Sequence, residues 1–403
     1  MMKSIVLKRG RDESVRRFHP WIFSGAVASV EEAPYEGEVV EVLSHDGHFL
    51  AYGHYQKGSI AVRILTFAQD FRPSEDGRMP LAFWQDRIGK ALNMRRTLGL
   101  PSSGTDCYRL VHGEGDSLPG LIVDIYGDVA VLQAHSAGMY LSADLVAEAL
   151  MSCAGVRAVF NKSEGTAPHK AGLDLHDGYI CGDCLSDETA VSENGHKFLV
   201  NWAAGQKTGF FLDQRDNRQL VGSYAAGRKV LNLFCYTGGF SVYALNAGAS
   251  SVVSVDSSAV AVGMLRRNVE LNSGESDAAR RHSAVCADAI DYLRDSRPGE
   301  FDLMVVDPPA FAKHRDALDN ALRAYRRLNA AAIAKIAPGG LLFTYSCSQA
   351  VDRKAFELAV FSAAAQTGRS VRILRRLTQP ADHPVNIYHP EGDYLKGLLL
   401  YVE

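Results

Sequence analysis

Residues 230–241 read Val230-Leu231-Asn232-Leu233-Phe234-Cys235-Tyr236-Thr237-Gly238-Gly239-Phe240-Ser241 and form the centre of a stretch, residues 229–272, around which the chain is organised. An apolar run ends at the glycine pair, and a helical pattern follows. A second apolar run over residues 251–255 then ends in Asp256. This order predicts a strand, a glycine turn, a helix and a strand that ends in an acid. In such a unit a nucleotide-like ligand approaches the turn, and the acid accepts hydrogen bonds from ribose hydroxyls.

The spacing of the glycines indicates the kind of ligand. It does not match G-x-G-x-x-G, the pattern that seats a pyrophosphate on a helix N-terminus, which counts against NAD. A ligand with a ribose but no phosphate fits better, and S-adenosylmethionine (SAM) is such a ligand. We expect Gly238 to let the backbone approach SAM and Asp256 to accept its ribose hydroxyls. The alternative is an ordinary strand–helix–strand unit with a tight turn, because short motifs often match by chance.

Composition sets limits on the class of protein. The chain has 403 residues, enough for two or three domains of ~100–200 residues each. With 47% hydrophobic and 22% charged residues it is typical of globular proteins. The net charge of -3 gives no overall basic character, so nucleic-acid binding must rest on local patches.

The cysteines and the N-terminal residues indicate the cellular compartment in which the protein is expected. The seven cysteines are scattered and odd in number, which favours a reducing cytoplasm over a disulfide framework. Residues 1–11 carry basic residues without the apolar core of a signal peptide. No apolar run approaches the ~20 residues that span a membrane. We therefore expect a cytoplasmic protein without a membrane segment.

Residues 1–71 contain short β-like runs at close spacing and no long helix, which predicts a small β-barrel. Basic residues are interleaved with aromatic ones, a combination that suits phosphate contact and base stacking. A solvated basic loop beside a buried Trp is the alternative. The residues are Lys8, Arg9, Arg11, Arg16, Arg17, Phe18, His19, Trp21 and Phe23.

Residues 72–184 predict a small α+β domain after a linker over residues 70–80. The pattern indicates helices over 81–98 and 141–151. A hairpin turns about Gly127-Asp128. Cys181 and Cys184 form a lone C-x-x-C, which predicts a turn and no metal site, because a structural zinc site needs four ligands.

From residue 185 to 403, strand-like and helix-like segments alternate, which predicts a doubly wound parallel sheet. The last two β-like runs, residues 371–374 and 395–401, have no helix between them. An antiparallel pair at the end of a parallel sheet is more typical of SAM methyltransferases than of dehydrogenases.

With these residues in view, the whole chain resembles the ribosomal RNA large subunit methyltransferase I family. The stretches that carry the resemblance are His19-Pro20-Trp21-Ile22-Phe23-Ser24-Gly25-Ala26, Glu114-Gly115-Asp116-Ser117-Leu118-Pro119-Gly120-Leu121-Ile122-Val123-Asp124, Gln206-Lys207-Thr208-Gly209-Phe210-Phe211-Leu212-Asp213-Gln214-Arg215, Asp307-Pro308-Pro309-Ala310-Phe311 and Tyr345-Ser346-Cys347-Ser348.

The resemblance implies an α/β protein with three parts. These are an N-terminal PUA-like RNA-binding β-barrel (1–71), a central α+β domain (72–184) and a C-terminal class I SAM-methyltransferase domain of Rossmann-like fold (185–403). It also implies formation of 5-methylcytosine in 23S rRNA with SAM as cofactor. The expected partner is that RNA and not a membrane. Whether the protein forms a homodimer is left open.

Methylation at C5 of cytosine calls for a cysteine nucleophile. Cytosine C5 is a poor nucleophile, and a thiolate that adds to C6 makes C5 reactive. Cys347 follows the strand-like run 341–345 at the predicted cofactor edge of the sheet. Cys235 lies in the glycine turn, and Cys286 lies inside or at the end of a strand, where buried cysteines are usually inert. Position leaves the choice open, and the resemblance favours Cys347.

Asp307 ends the strand-like run 303–306 and is the second candidate catalytic residue. Pro308 and Pro309 remove two N–H donors, which leaves the Asp carboxylate and nearby carbonyls as acceptors. They suit the amino group or protonated N3 of a flipped cytosine, on which Phe311 could stack. The alternative is an Asp that caps a helix in a tight turn.

Further residues are candidates for holding SAM. Asp288 is placed to meet the adenine amino group. By resemblance, Phe210, Asp213 and Gln214 flank the cofactor, although Asp213 could instead form a weak surface ion pair with Arg215 or Arg218. The predicted cofactor set also includes Asn232, Tyr236 and Asp307.

Three classes of function compete. The first is the cytosine-C5 methyltransferase. The second is a methyltransferase for an exocyclic amine of RNA, because Asp307-Pro308-Pro309 resembles loops that hold an amine, and this chemistry needs no cysteine. The third is a non-catalytic RNA-binding assembly protein that retains the fold; the presence of Asp256, Asp307 and Cys347 counts against it.

Overall fold

The computed structural model describes residues 2–273, 278–312 and 317–403. The chain divides into two compact units, each built from segments that are not contiguous in sequence. The first unit comprises Met1–Val191, Val200–Leu212 and Ala381–Gly392. The second comprises Ser192–Leu199, Asp213–Pro380 and Asp393–Glu403. The hairpin β12–β13 (Glu188–Glu193, His196–Asn201) contributes residues to both units.

The N-terminal part of the first unit is a sheet with the strand order β2-β6-β5-β4-β1-β3. Its pairs are antiparallel except for β1 with β4. The core is formed by alternate residues such as Ile5, Leu7 and Val40, as the period of a strand requires. The elements are β1 (Ser4–Leu7), α1 (Glu13–Arg16), β2 (Trp21–Phe23), β3 (Val27–Val30), β4 (Val39–Leu43), β5 (Phe49–Tyr55) and β6 (Ile60–Thr66).

The rest of the first unit is a second sheet, with the order β11-β10-β9-β8-β7, packed against helices. The helix predicted over residues 141–151 is confirmed as α4, two residues later at each end, whereas the short helix α3 before it was not predicted. The hairpin about residues 127–128 is confirmed. The elements are α2 (Leu81–Thr97), β7 (Cys107–His112), β8 (Leu121–Tyr126), β9 (Val129–Ala134), α3 (Ala137–Leu141), α4 (Ala143–Cys153), β10 (Ala158–Asn161) and β11 (Gly178–Cys181).

The second unit is the doubly wound sheet that the alternating pattern predicts. Its strand order is β16-β15-β14-β17-β18-β20-β19. Its elements are α5 (Arg215–Ala225), β14 (Lys229–Leu233), α6 (Gly239–Asn246), β15 (Ser251–Asp256), α7 (Ala259–Ser273), β16 (His282–Cys286), α8 (Ala289–Asp295), β17 (Leu303–Val306), α9 (Leu318–Lys335), β18 (Gly340–Ser346), α10 (Arg353–Thr367), β19 (Val371–Leu377) and β20 (Lys396–Val402).

The directions of these strands bring the candidate residues to one edge. The pairs from β16 to β18 are parallel, so their carboxyl ends meet at the same edge of the sheet. Asp256 ends β15, Asp307 follows β17 and Cys347 follows β18. The expected antiparallel end is confirmed, because β20 inserts between β18 and β19 and is antiparallel to both. Across the described ranges, no helix has the length and apolar character to cross a bilayer.

Candidate active site

The glycine turn between β14 and α6 has a backbone that few residues can adopt. Gly238 has φ 86°, and a Cβ built there would lie 2.1 Å from the Cδ1 of buried Leu265. Phe234 and Tyr236 also have positive φ values, of 58° and 46°. Such conformations are costly for residues other than glycine and concentrate at ligand sites. The turn therefore departs from the backbone conformations that its residues prefer, as turns at ligand sites often do.

Asp256 braces this turn from the end of the next strand. Its Oδ2 accepts a hydrogen bond from the Tyr236 N–H at 2.9 Å, and its Oδ1 accepts one from the Ser258 N–H at 2.9 Å. A carboxylate can accept about four hydrogen bonds, so each oxygen retains capacity for a ribose hydroxyl. The half-buried carboxylate and the glycine at the turn fit the ribose of SAM.

Asn232 is turned away from this edge into a polar chain between strands and helix. Its Nδ2 donates to Ser241 Oγ at 2.8 Å. Ser241 in turn bonds Ser254 at 2.7 Å, and Ser254 Oγ lies 2.8 Å from His282 Nε2. Within the described residues, the buried Oδ1 of Asn232 has no hydrogen-bond partner. Its predicted contact with the cofactor stays a prediction.

Asp288 is the N-cap of α8. Its Oδ1 accepts the N–H groups of Ile290 and Asp291 at 2.8 and 3.0 Å, and its side chain is exposed. Asp288 therefore caps the N-terminus of its helix, a common role for Asp. The second carboxylate oxygen of Asp288 still has acceptor capacity for an adenine amino group.

A chain of polar side chains links the end of the motif 206–215 to Asp307. Asn217 Nδ2 donates to Gln214 Oε1 at 2.6 Å, and Gln214 Nε2 donates to Asp307 Oδ2 at 3.0 Å. Tyr394 donates its hydroxyl to Asp213 Oδ2 at 2.7 Å. Because Asp213 is buried, it is not the surface carboxylate that the ion-pair alternative requires.

The loop that follows Asp307 lies against the loop that follows β18. Cys347 is half-buried, and its Sγ lies 4.0 Å from the Pro308 carbonyl oxygen. Phe311 packs on Tyr325, with ring centroids 4.8 Å apart. Asp307, Pro308, Phe311 and Cys347 therefore form one site at the carboxyl edge of the sheet.

The backbone just after Cys347 is held by side chains that sequence reasoning missed. The Ser348 hydroxyl bonds Tyr325 at 2.9 Å and accepts the Ala312 N–H at 3.3 Å. Lys396 Nζ donates to the carbonyl oxygens of Ser348 and Tyr394 at 2.8 and 2.6 Å. Lys396 opens the last strand, far from Cys347 in sequence, so no local pattern could have indicated it.

The other two cysteine candidates differ in their surroundings. Cys235 is buried, and burial together with the nearby Asp256 raises the pKa of its thiol. A thiol of raised pKa is a poor source of thiolate. Cys286 ends β16 and is exposed, so the interpretation of it as a buried, inert cysteine is wrong.

Phe210 and the N-terminal candidates belong to the first unit. The Phe210 N–H donates to the Tyr126 hydroxyl at 3.3 Å, and its ring is buried. Its predicted contact with SAM stays a prediction. Within the described ranges, no cluster of three or more His, Cys, Asp or Glu side chains is arranged to hold a metal.

The basic residues of the N-terminus are exposed but partly paired. Arg16 bonds Asp12 at 2.7 Å and Arg17 pairs with Glu13 at 2.5 Å, both as i,i+4 pairs about α1. Surface pairs of this kind contribute little energy, so a phosphate could displace them. The half-buried Trp21 donates its indole N–H to Glu114 Oε1 at 2.9 Å.

Comparison with known proteins identifies relatives along the whole chain. The family model for S-adenosylmethionine-dependent methyltransferases matches residues 151–400, and one for a PUA-like domain matches residues 5–67. The ribosomal RNA large subunit methyltransferase I of Aeromonas salmonicida is 40% identical over 98% of both chains. The protein of the same name from Cronobacter sakazakii is 39% identical over 100% of both.

Solved structures share the fold. A crystal structure of a methyltransferase in complex with SAH has a TM-score of 0.83 and 22% identity over 100% of both chains. A SAM-dependent methyltransferase from Streptococcus mutans has a TM-score of 0.82 and 21% identity, and the match also covers 100% of both chains. At such identities the likeness concerns the fold alone. Together with the family models, it confirms the predicted class I fold and the PUA-like N-terminus.

Proposed function

The chain belongs to the ribosomal RNA large subunit methyltransferase I family, and from this premise we propose that it forms 5-methylcytosine in 23S rRNA through a covalent bond between Cys347 and cytosine C6. Its dependence on SAM follows from the family. The specific proposal of methylation at C5 through Cys347 rests on one observation. In the site after β17 and β18, Cys347 Sγ faces the loop of Asp307. An amine methyltransferase would need the Asp307 loop but no thiol.

SAM supplies an electrophilic methyl group when it is bound. Gly238 and Asp256 would hold it. Asp288 is proposed to contact the adenine, and Tyr236 is proposed to contribute at the glycine turn. Asp213, Gln214, Asn232 and Phe210 remain proposed cofactor residues. The turn itself requires glycine at position 238, because a Cβ there would collide with Leu265.

Cys347 and Asp307 carry the proposed chemistry on the base. The Cys347 thiolate adds to C6, and the electron pair of the C5–C6 double bond moves into the ring, where the Asp307 carboxyl group holds a proton at N3. C5 thereby becomes nucleophilic and accepts a methyl group. Loss of the C5 proton to a base then restores the C5–C6 double bond and expels the thiolate. N3 returns its proton to the Asp307 carboxylate, so the neutral base and the cysteine are both regenerated.

The first unit is proposed to bind the RNA. Residues 5–67 match a PUA-like domain, and Arg9, Arg16 and Arg17 are exposed on that part of the surface. Trp21 is proposed to stack on a base, and Phe311 to stack on the flipped cytosine. We retain the functional division into 1–71, 72–184 and 185–403 as part of this proposal.

Substitution of the nucleophile tests the proposal. Cys347→Ala should reduce methyl transfer to 23S rRNA by several orders of magnitude while SAM affinity stays unchanged, because only the covalent step is lost. Cys286→Ala, at an exposed cysteine of the same unit, is the matched control and should keep full activity. Methyl transfer is measured with radiolabelled SAM, and SAM affinity by calorimetry.

A fluorinated substrate gives an independent readout. RNA with 5-fluorocytosine at the target should form a covalent adduct with the wild type, because fluorine cannot leave as a proton does. The Cys347→Ala variant should form none. Robust methylation by Cys347→Ala, with no adduct on the wild type, would reject the C5 mechanism in favour of the amine methyltransferase.

A further inference from the structure

Lys396 is a buried cation beside the candidate nucleophile. Its side chain is 2% exposed, and it lies directly across the β18–β20 ladder from Ser346, the residue before Cys347. Its Nζ donates at 2.8 Å to the carbonyl oxygen of Ser348, the residue after Cys347. The main chain of Lys396 thus lies across from the residue before the cysteine, and its ammonium group bonds the residue after it.

The hydrogen bonds of Lys396 go to neutral groups, so they bring no opposite charge into contact with its ammonium group. An ammonium group has three N–H donors, and two of them are used by the neutral carbonyl groups of Ser348 and Tyr394. Within the described residues, Lys396 forms no ion pair with a carboxylate. A buried charge is costly unless an opposite charge compensates it.

We propose that the ammonium group of Lys396 stabilises the thiolate of Cys347 and that Lys396 is a positioning residue for the nucleophile. The catalytic meaning of this pairing rests on the proposed function, whereas the pairing itself rests on the geometry of β18 and β20. A thiolate needs such a partner, because a free cysteine at neutral pH is only a few per cent ionised.

The charges around Lys396 agree with this assignment. Burial lowers the pKa of Lys396 to about 8, and Cys347 is the largest influence in the opposite direction. Asp393 and Asp352 also raise the pKa, while Arg353 lowers it. An ammonium group of this pKa is still mostly protonated at pH 7, so it is available as the partner of a thiolate.

The proton balance of the pair is simple. Because Lys396 is mostly protonated at pH 7, ionisation releases the proton of Cys347 Sγ to solvent and leaves a thiolate beside the ammonium group. Addition to C6 uses the electron pair of the thiolate, and elimination returns it to sulfur. The two groups titrate as a pair, so a change at Lys396 must appear in the titration of Cys347.

A lysine elsewhere in the second unit provides a matched control. Lys335 Nζ donates to the main-chain carbonyl oxygens of Arg294 and Ser296 at 2.6 and 2.5 Å. It therefore has the same kind of structural role as Lys396, without a cysteine beside it. Lys335→Gln removes a charge and two carbonyl contacts as Lys396→Gln does.

The test is the pH profile of alkylation by iodoacetamide, read at each cysteine by peptide mass spectrometry on the full chain without RNA. Lys396→Gln should raise the half-point pH of Cys347 by about one unit and slow its alkylation at pH 7 about 10-fold. Lys396→Arg should restore much of the reactivity, because it keeps the positive charge. Lys335→Gln should leave the profile of Cys347 unchanged.

The wild type alone also tests the inference, whatever the variants do. Exposed Cys286 is an internal standard, and Cys347 should ionise at a lower pH than Cys286. An equal or higher half-point for Cys347 would overturn the inference, as would an unchanged profile in folded Lys396→Gln. Because the assay involves no methyl transfer, retained activity in Cys347→Ala would reject the proposed function and leave this pairing intact.

Discussion

Asp256 and Asp288 both follow parallel strands, yet their carboxylates have different local roles. Asp256 accepts the N–H groups of Tyr236, in the glycine turn, and of Ser258, just after β15. Asp288 is exposed and caps α8. The acid that braces the glycine turn is therefore the better candidate for the ribose of SAM.

Asp256→Ala should weaken SAM binding by roughly 1.5–3 kcal/mol, the scale of a hydrogen bond to a charged group. Calorimetric titration with SAM measures the effect. Asp302→Ala is the control, because Asp302 also accepts a main-chain N–H, from Lys229 at 2.9 Å, but at the opposite edge of the sheet. Equal SAM affinities for the wild type and folded Asp256→Ala would contradict the assignment.

Gly238→Ala should lower stability and SAM affinity together. Both a positive φ and a collision oppose the new methyl group, since its carbon would lie 2.1 Å from Leu265 Cδ1. The φ value alone costs an L-residue about 1–2 kcal/mol. Gly248→Ala separates the two causes, because Gly248 has φ 87° and open space around its Cα.

The midpoint of thermal unfolding and the affinity for SAM are measured for both glycine variants. Gly248→Ala should lose only the stability that the φ value costs, with SAM affinity unchanged. Gly238→Ala should lose more stability than Gly248→Ala. Similar values for the two variants would mean that close packing at the glycine turn is not needed.

At the scale of elements, the loop that carries Cys347 connects β18 to α10. β18 ends at Ser346, and α10 begins at Arg353 after the N-cap Asp352. β20 pairs with β18 in an antiparallel register, which brings Lys396 across from Ser346. A purely parallel sheet would place the start of its last strand at the other edge, so the antiparallel insertion is what puts a lysine beside Cys347.

Asp352→Ala should lower the stability of the protein by about 0.5–2 kcal/mol, because Asp352 Oδ1 accepts the Ala355 N–H at 2.7 Å as the cap of α10. Asp352→Asn keeps an oxygen acceptor and should retain most of the stability. Denaturant unfolding followed by circular dichroism compares the two variants. An Ala variant as stable as the Asn variant would show that the cap is not needed.

At the scale of the whole molecule, both units are assembled from distant segments. Asp382 lies in residues 381–392, which follow most of the second unit in sequence, yet it accepts the Arg109 N–H at 3.0 Å inside the first unit. The motif 206–215 is divided as well. Thr208 bonds Asp124 at 2.6 Å in the first unit, whereas Gln214 bonds Asp307 in the second.

The RNA affinity of the whole protein should depend on the N-terminal basic residues. Replacement of Arg9, Arg16 and Arg17 by Gln should weaken binding and reduce the slope of log affinity against log salt by about 2, at roughly 0.7–0.9 for each lost phosphate contact. Filter binding to 23S rRNA fragments at several salt concentrations measures this slope.

The matched control replaces three exposed arginines of the second unit that also pair with acids. They are Arg294, Arg372 and Arg376. This triple Gln variant should keep the wild-type slope. Equal losses in both triple variants would indicate that net charge alone governs binding, and that the PUA-like part has no special role.

The sequence alone determined the features that depend on local order. Periodicity, together with the glycine turn and the acid after the next strand, predicted the strands and helices of the doubly wound sheet, because burial on both faces imposes continuous apolar strands. The position of Asp307 and Cys347 after parallel strands followed from the same reasoning, since such strand ends meet at one edge. The short helix α3 was not predicted, because five residues are too few to show a helical period.

The tertiary structure decided which side chains surround these residues. Lys396 comes to Cys347 through an antiparallel pairing, and Asn217 reaches Asp307 through Gln214. The pKa of the Cys235 thiol is raised by burial and by Asp256, which lies at the end of the next strand. Hydrogen bonds and desolvation act over a few ångströms in space, whatever the separation along the chain, and only the folded molecule brings those groups together.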